Sequence, residues 1–92
     1  MHQYIFFPLP MNELLNIFIG IKTRREARAL ALDLFTPREL ASFCERLQIV
    51  KLLRKGVPHR LISKKLNVSI DKVTRGAKAL RGSRGFFKRI KP

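Results

Sequence analysis

The sequence predicts a small all-α domain. Three observations lead there: apolar residues return at helical spacing from Met11 onward, Thr-x-x-Glu pairs stand at Thr23/Glu26 and Thr36/Glu39, and no segment reads as a strand. At 92 residues the chain makes one domain, 11–92, preceded by residues 1–10. The core of such a domain is small for a monomer, so a homodimer that shares its core is expected.

Residues 1–10 read as an extended arm, or as an upstream extension if Met11 is the true start. The stretch MHQYIFFPLPMNELLNIFIGI is apolar, but it lacks a basic leading region, carries Pro8 and Pro10, and is interrupted by Asn12, Glu13 and Asn16. It does not read as a signal peptide, and no apolar run approaches bilayer length. The expected location is the cytoplasm, with no membrane partner. A first helix spans about Met11 to Ile21, with Leu14, Leu15, Phe18 and Ile19 recurring along it. Thr23 is a good N-cap for a second helix, and Glu26 three residues on makes a capping box. That helix presents Ala27, Leu30, Ala31 and Leu34 on one face and ends near Phe35. Thr36-Pro37 starts a third, since threonine caps and proline is preorganised for the first helical position. It runs from about 37 to 55, with Leu40, Phe43, Leu47, Val50 and Leu53 as its apolar stripe, and Gly56 closes it. The single Cys44 falls in that pattern and reads as a buried thiol in a reducing compartment, with no disulfide and no metal cluster.

Charge is distributed very unevenly. Residues 1–45 balance five basic side chains against five acids, whereas residues 46–92 hold fifteen Lys and Arg against Asp71 alone, so the whole net charge of +14 lies there. Such segregation points to a polyanionic partner, because neutralising phosphates releases counterions and steers association. Nucleic acid leads, ahead of an anionic membrane surface. Within this half, HRLISKKLNVSIDKVTR, residues 59–75, has the parts of a helix-turn-helix at about 58–80. Ile62, Leu66, Val68 and Val73 supply apolar contacts, Ser63 is the small residue at the crossing, Asn67 tolerates a positive φ, and Ser69 caps the second helix. In that helix, about 70–80, Ile70, Val73, Ala77 and Leu80 face inward.

Major-groove readers present the N-terminal residues of the recognition helix to base edges, which makes Ser69, Ile70, Asp71, Lys72 and Thr74 the candidates for double-stranded DNA. A partly exposed Ile70 suits a thymine methyl. His59, Arg60, Lys64 and Lys65 are placed for phosphates, although a neutral His59 is equally well explained as merely exposed, and Lys78 lies on the open side of the recognition helix as a further DNA-binding candidate. Asp71 follows the Ser69 cap, where the helix dipole favours an acid, or it accepts from cytosine N4. An enzyme is poorly supported. His2, His59, Cys44 and a few acids make no nucleophile-base set and no metal spacing.

TPREL, ERLQIVKLLRKG and LNVSIDKVTRGAKALRGS together resemble the Trp repressor superfamily, over about Met11 to Ser83. The resemblance implies an intertwined, all-helical homodimer that represses transcription from a palindromic operator, with L-tryptophan as corepressor. Arg46 and Arg75 match the two arginines that hold the indole ring, Gly76 matches the glycine that leaves the ligand space, and Thr36 matches the threonine at the pocket edge. A guanidinium both stacks on an aromatic plane and binds a carboxylate, so the chemistry is apt. Ala79 stands where Trp repressors carry a serine that helps hold the ligand's ammonium. Arg75 therefore has three readings, as ligand clamp, phosphate contact or solvated charge. Arg46 is read either as ligand clamp or as a partner in surface ion pairs with Glu45 and nearby helix positions. After Ser83 the last family helix shrinks to RGFFKRIKP, where Phe86 and Phe87 are expected to cover the core or a partner subunit and the basic residues to be available to DNA. A protein of this kind that acts without tryptophan is the alternative.

Overall fold

A computed structural model describes residues 10–92, and the expectation for residues 1–9 lies outside it. Five α-helices follow in order, α1 Met11–Gly20, α2 Arg24–Leu34, α3 Pro37–Arg54, α4 His59–Leu66 and α5 Ile70–Arg81, then a 3-10 turn at Phe87–Arg89. No strand occurs among the described residues. The fold is all-α, as the sequence predicts. The chain divides into two compact units, one ending at Phe35 and the other spanning Thr36–Pro92.

In the first unit the local signals set the helix ends. Thr23 Oγ1 accepts from the Glu26 amide at 3.1 Å. The expected capping box is altered, because Glu26 Oε1 takes the Lys22 amide at 2.8 Å instead of the amide of Thr23. Between Pro10 and Phe35 no residue is fully buried, and Ile17, Phe18, Ile19, Leu32 and Leu34 are all exposed.

The second unit contains the core. A complete capping box starts α3, with Thr36 Oγ1 accepting from Glu39 N and Glu39 Oε1 accepting from Thr36 N. At its end Gly56 adopts φ +85°, its amide reaching Leu53 O while Val57 N reaches Leu52 O, the paired bonds of a Schellman stop. Helices α4 and α5 pack on each other and on α3 around Ile49, Val50, Leu52, Ile62, Val73 and Ala77. Leu53, Val57, Leu66 and Val68 close the edges. The turn between α4 and α5 has Asn67 at φ 55°, and the Ser63 hydroxyl donates to Val68 O at 2.6 Å, so the small residue at the crossing also fixes the turn.

The structure departs from the sequence expectation at three places. The buried face of α3 is carried by Ile49, Val50 and Leu52, whereas Phe43 and Leu47 remain well exposed. Only the C-terminal half of α3 is sandwiched by α4 and α5, and they cover a face rotated from the stripe traced by Leu40, Phe43 and Leu47. Cys44 lies on the exposed part of the same helix and is not a buried thiol. Ile70 faces outward at 51% exposure, because it is the first residue of α5 and precedes the stretch that α4 covers.

Candidate nucleic-acid interface and adjoining cleft

Helices α3 and α5 lie side by side and parallel. Lys72 on α5 meets Glu45 on α3, and Gly76, one turn further on, meets Ile49, so the same offset of 27 residues joins both pairs. The contact at Gly76 is the tight one. A Cβ built there would fall 2.6 Å from Ile49 Cγ2, closer than side chains approach, so glycine is what allows the helices to come together.

A cleft of about 140 Å³ opens between the two helices towards the start of α5, lined by Ser42, Glu45, Arg46, Ile49, Lys72 and Arg75. Ser42, Glu45, Arg46 and Ile49 fall on one face of α3 at helical spacing, as do Lys72 and Arg75 on α5. Arg46 and Arg75 thus share one cleft, with Ile49 as its apolar lining. Thr36 does not join them, because ten residues of α3, about 15 Å of rise, separate it from Arg46. Gly76 lies behind the cleft, pressed on Ile49. Two ion pairs border the opening. Lys72 Nζ binds Glu45 Oε1 at 2.8 Å across the helices, and Arg75 Nε binds Asp71 Oδ2 at 3.1 Å within α5. With side-chain exposures of 70% and 68%, the Arg75–Asp71 pair is a surface contact that a competing anion displaces at little cost.

Of the DNA candidates, His59 and Arg60 open α4 and Lys64 and Lys65 close it, all exposed. Ser69 caps α5 by accepting from Lys72 N at 3.2 Å, and Ile70, Asp71 and Lys72 form its exposed first turn. The Thr74 hydroxyl is turned back on the helix, donating to Ile70 O at 3.0 Å, which leaves its oxygen free to accept. Lys78 is exposed near the far end. Sequence reasoning missed Ser42, Ile49 and the bond from Glu45 to Lys72. The spacing of Ser42, Glu45 and Arg46 was a legible signal, but the choice of Lys72 over Arg46 as partner for Glu45 depends on how α5 is docked.

A Trp repressor protein family model matches residues 10–90. The chain belongs to the Trp repressor family. Compared with curated proteins and with solved structures, it matches none significantly. The Trp repressor family consists of DNA-binding regulators and not of enzymes, which accounts for the helix-turn-helix and for the charge concentrated around it. Among the described residues no helix is long and apolar enough to cross a membrane.

Proposed function

We propose that this Trp repressor family member is a cytoplasmic, homodimeric transcriptional repressor that reads a double-stranded palindromic operator and takes L-tryptophan as corepressor between Arg46 and Arg75. One observation carries the reading: both arginines line a single cleft whose second wall is α5, the helix that presents Ser69, Ile70, Asp71, Lys72 and Thr74. A ligand there touches the same rigid element that meets the bases. The cleft suits an aromatic carboxylate, since guanidinium planes stack on a ring, a second guanidinium binds the carboxylate, and Ile49 offers an apolar surface. The dimer is supported by the first unit, in which none of the described residues is fully buried; Thr36, apart from the cleft within one chain, would join it only from a second copy. His59, Arg60, Lys64, Lys65 and Lys78 hold phosphates in this reading.

The test is titration of L-tryptophan into the purified protein with and without a candidate palindrome. Saturable heat and tighter binding to the palindrome are expected; no heat and unchanged operator affinity refute the corepressor. A second reading, DNA binding without tryptophan, is favoured by the charges at the cleft. The one acid in its lining, Glu45, already binds Lys72, and Ala79 brings no hydroxyl, so the ligand's ammonium has poor partners. It predicts similar affinity for random duplexes, a steep salt dependence, and little loss of specificity in K72A and T74A.

A further inference from the structure

The segment after α5 is short, basic and fastened. Ser83 Oγ accepts from the amides of Gly85 at 3.0 Å and Phe87 at 3.3 Å. The half-buried Arg54, last residue of α3, donates from Nη1 to the carbonyls of Phe87 and Ile90. Both anchors act on the backbone and leave the basic side chains of the segment outside: Arg84, Lys88, Arg89 and Lys91 are all exposed, and no acid follows Asp71. Arg89 lies over the ring of Phe86, 5.4 Å from its centroid, while Phe86 itself is 69% exposed. Of the two expected alternatives, Phe86 does not cover a core within the chain, and Phe87 is half-buried.

The anchor also fixes where these charges stand. Because Arg54 is the last residue of α3, holding the carbonyls of residues 87 and 90 at its guanidinium tethers the segment to the end of α3, next in sequence to exposed Lys55 and to the connection that leads into α4. We infer that residues 84–91 form a fixed cationic arm that binds phosphates of the DNA backbone outside the stretch read by α5, extending the phosphate contacts at the start of α4. Backbone contacts of this kind add affinity and position the module without reading sequence. An anionic membrane is the weaker partner, because an interfacial segment needs an apolar face and here only Phe86 projects strongly. The inference rests on the DNA-binding character of the family and is independent of any corepressor.

The test compares the full chain with R84A/K88A/R89A/K91A for binding to a random-sequence duplex over a range of salt concentrations. Four phosphates per chain correspond to a salt slope smaller by about 3.6 for each chain bound, so that between 50 and 200 mM salt the parent loses roughly 150-fold more affinity per bound chain than the variant does. The charge-preserving R84K/K88R/R89K/K91R keeps the parental slope. Single substitutions K88A and K91A each lower it by about 0.9, which keeps the inference open to refutation should the fourfold variant fail to fold. Unchanged slopes with DNA binding intact overturn the arm alone. A parent that binds no DNA overturns the family-based reading as well, and arm-dependent binding to phosphatidylglycerol vesicles without a change in DNA slope assigns these cations to a membrane instead.

Discussion

Gly76→Ala places a methyl group against Ile49 at the closest approach of α3 and α5. The new carbon would lie 2.6 Å from Ile49 Cγ2 and 3.5 Å from Ile49 Cβ, with Leu53 Cδ1 at 3.9 Å. Ile49 is 2% exposed and part of the packed core, so shifting it disturbs its neighbours. Overpacking of this kind costs about 1–3 kcal/mol, and alanine returns about 1 kcal/mol through its helix propensity, leaving a net loss of about 1 kcal/mol. Ile49→Leu removes the Cγ2 branch at nearly constant volume and by itself costs less than about 1.5 kcal/mol. In that background the clash is gone, and Gly76→Ala becomes stabilising by up to about 1 kcal/mol. The assay is urea unfolding of the four proteins followed by far-ultraviolet circular dichroism, at one fixed chain concentration because a dimer's stability depends on it. Effects that add to within about 0.5 kcal/mol refute the contact, and with it the account of why glycine stands there.

Asn67→Gly leaves stability within about 0.5 kcal/mol, whereas Asn67→Val, a β-branched residue forced to φ 55°, loses about 1–2 kcal/mol by the same unfolding measurement. Glu45→Gln barely moves stability, since the pair is partly exposed, but it frees Lys72 and steepens the salt slope for random duplex by about 0.9; an unaltered slope shows that Lys72 does not reach phosphate. Asp71→Ala shifts sequence preference in a binding selection more than it changes total affinity, and uniform tightening on all DNA rules out a reading role for the carboxylate. Ser69→Ala removes the cap of α5 and costs about 1 kcal/mol, with operator affinity falling further than stability does.

What was legible in the sequence is what neighbours along the chain decide. Thr36 with Glu39, Gly56 after Arg54, Asn67 in the left-handed turn and Ser69 before Ile70 each act within a few residues, and each helix boundary follows them closely. The pairing of distant residues was not legible. Ile49 and Leu52 look no more buried than Phe43 and Leu47 until α4 and α5 are docked, and then one face of α3 is chosen over the next. The same holds for the cleft: Arg46 and Arg75 were found through resemblance, while Glu45 took Lys72 because parallel helices bring those positions level. Arg54 shows the limit most plainly, as no local pattern announces that its guanidinium will donate to carbonyls more than thirty residues later.

The tight seam at Gly76 also makes α5 a lever. With Ile49 packed against it there, the helix has its fulcrum at Gly76, and its N-terminal tip at Ser69 lies seven residues away, an arm of about 10 Å. Arg75 and Lys72, on the cleft side, sit between fulcrum and tip. A tilt of about 10° displaces the tip by nearly 2 Å, enough to break a hydrogen bond to a base edge while the buried seam barely moves. In a two-fold pair the displacement occurs at both tips, so their separation changes by up to about twice that distance against the fixed helical repeat of DNA.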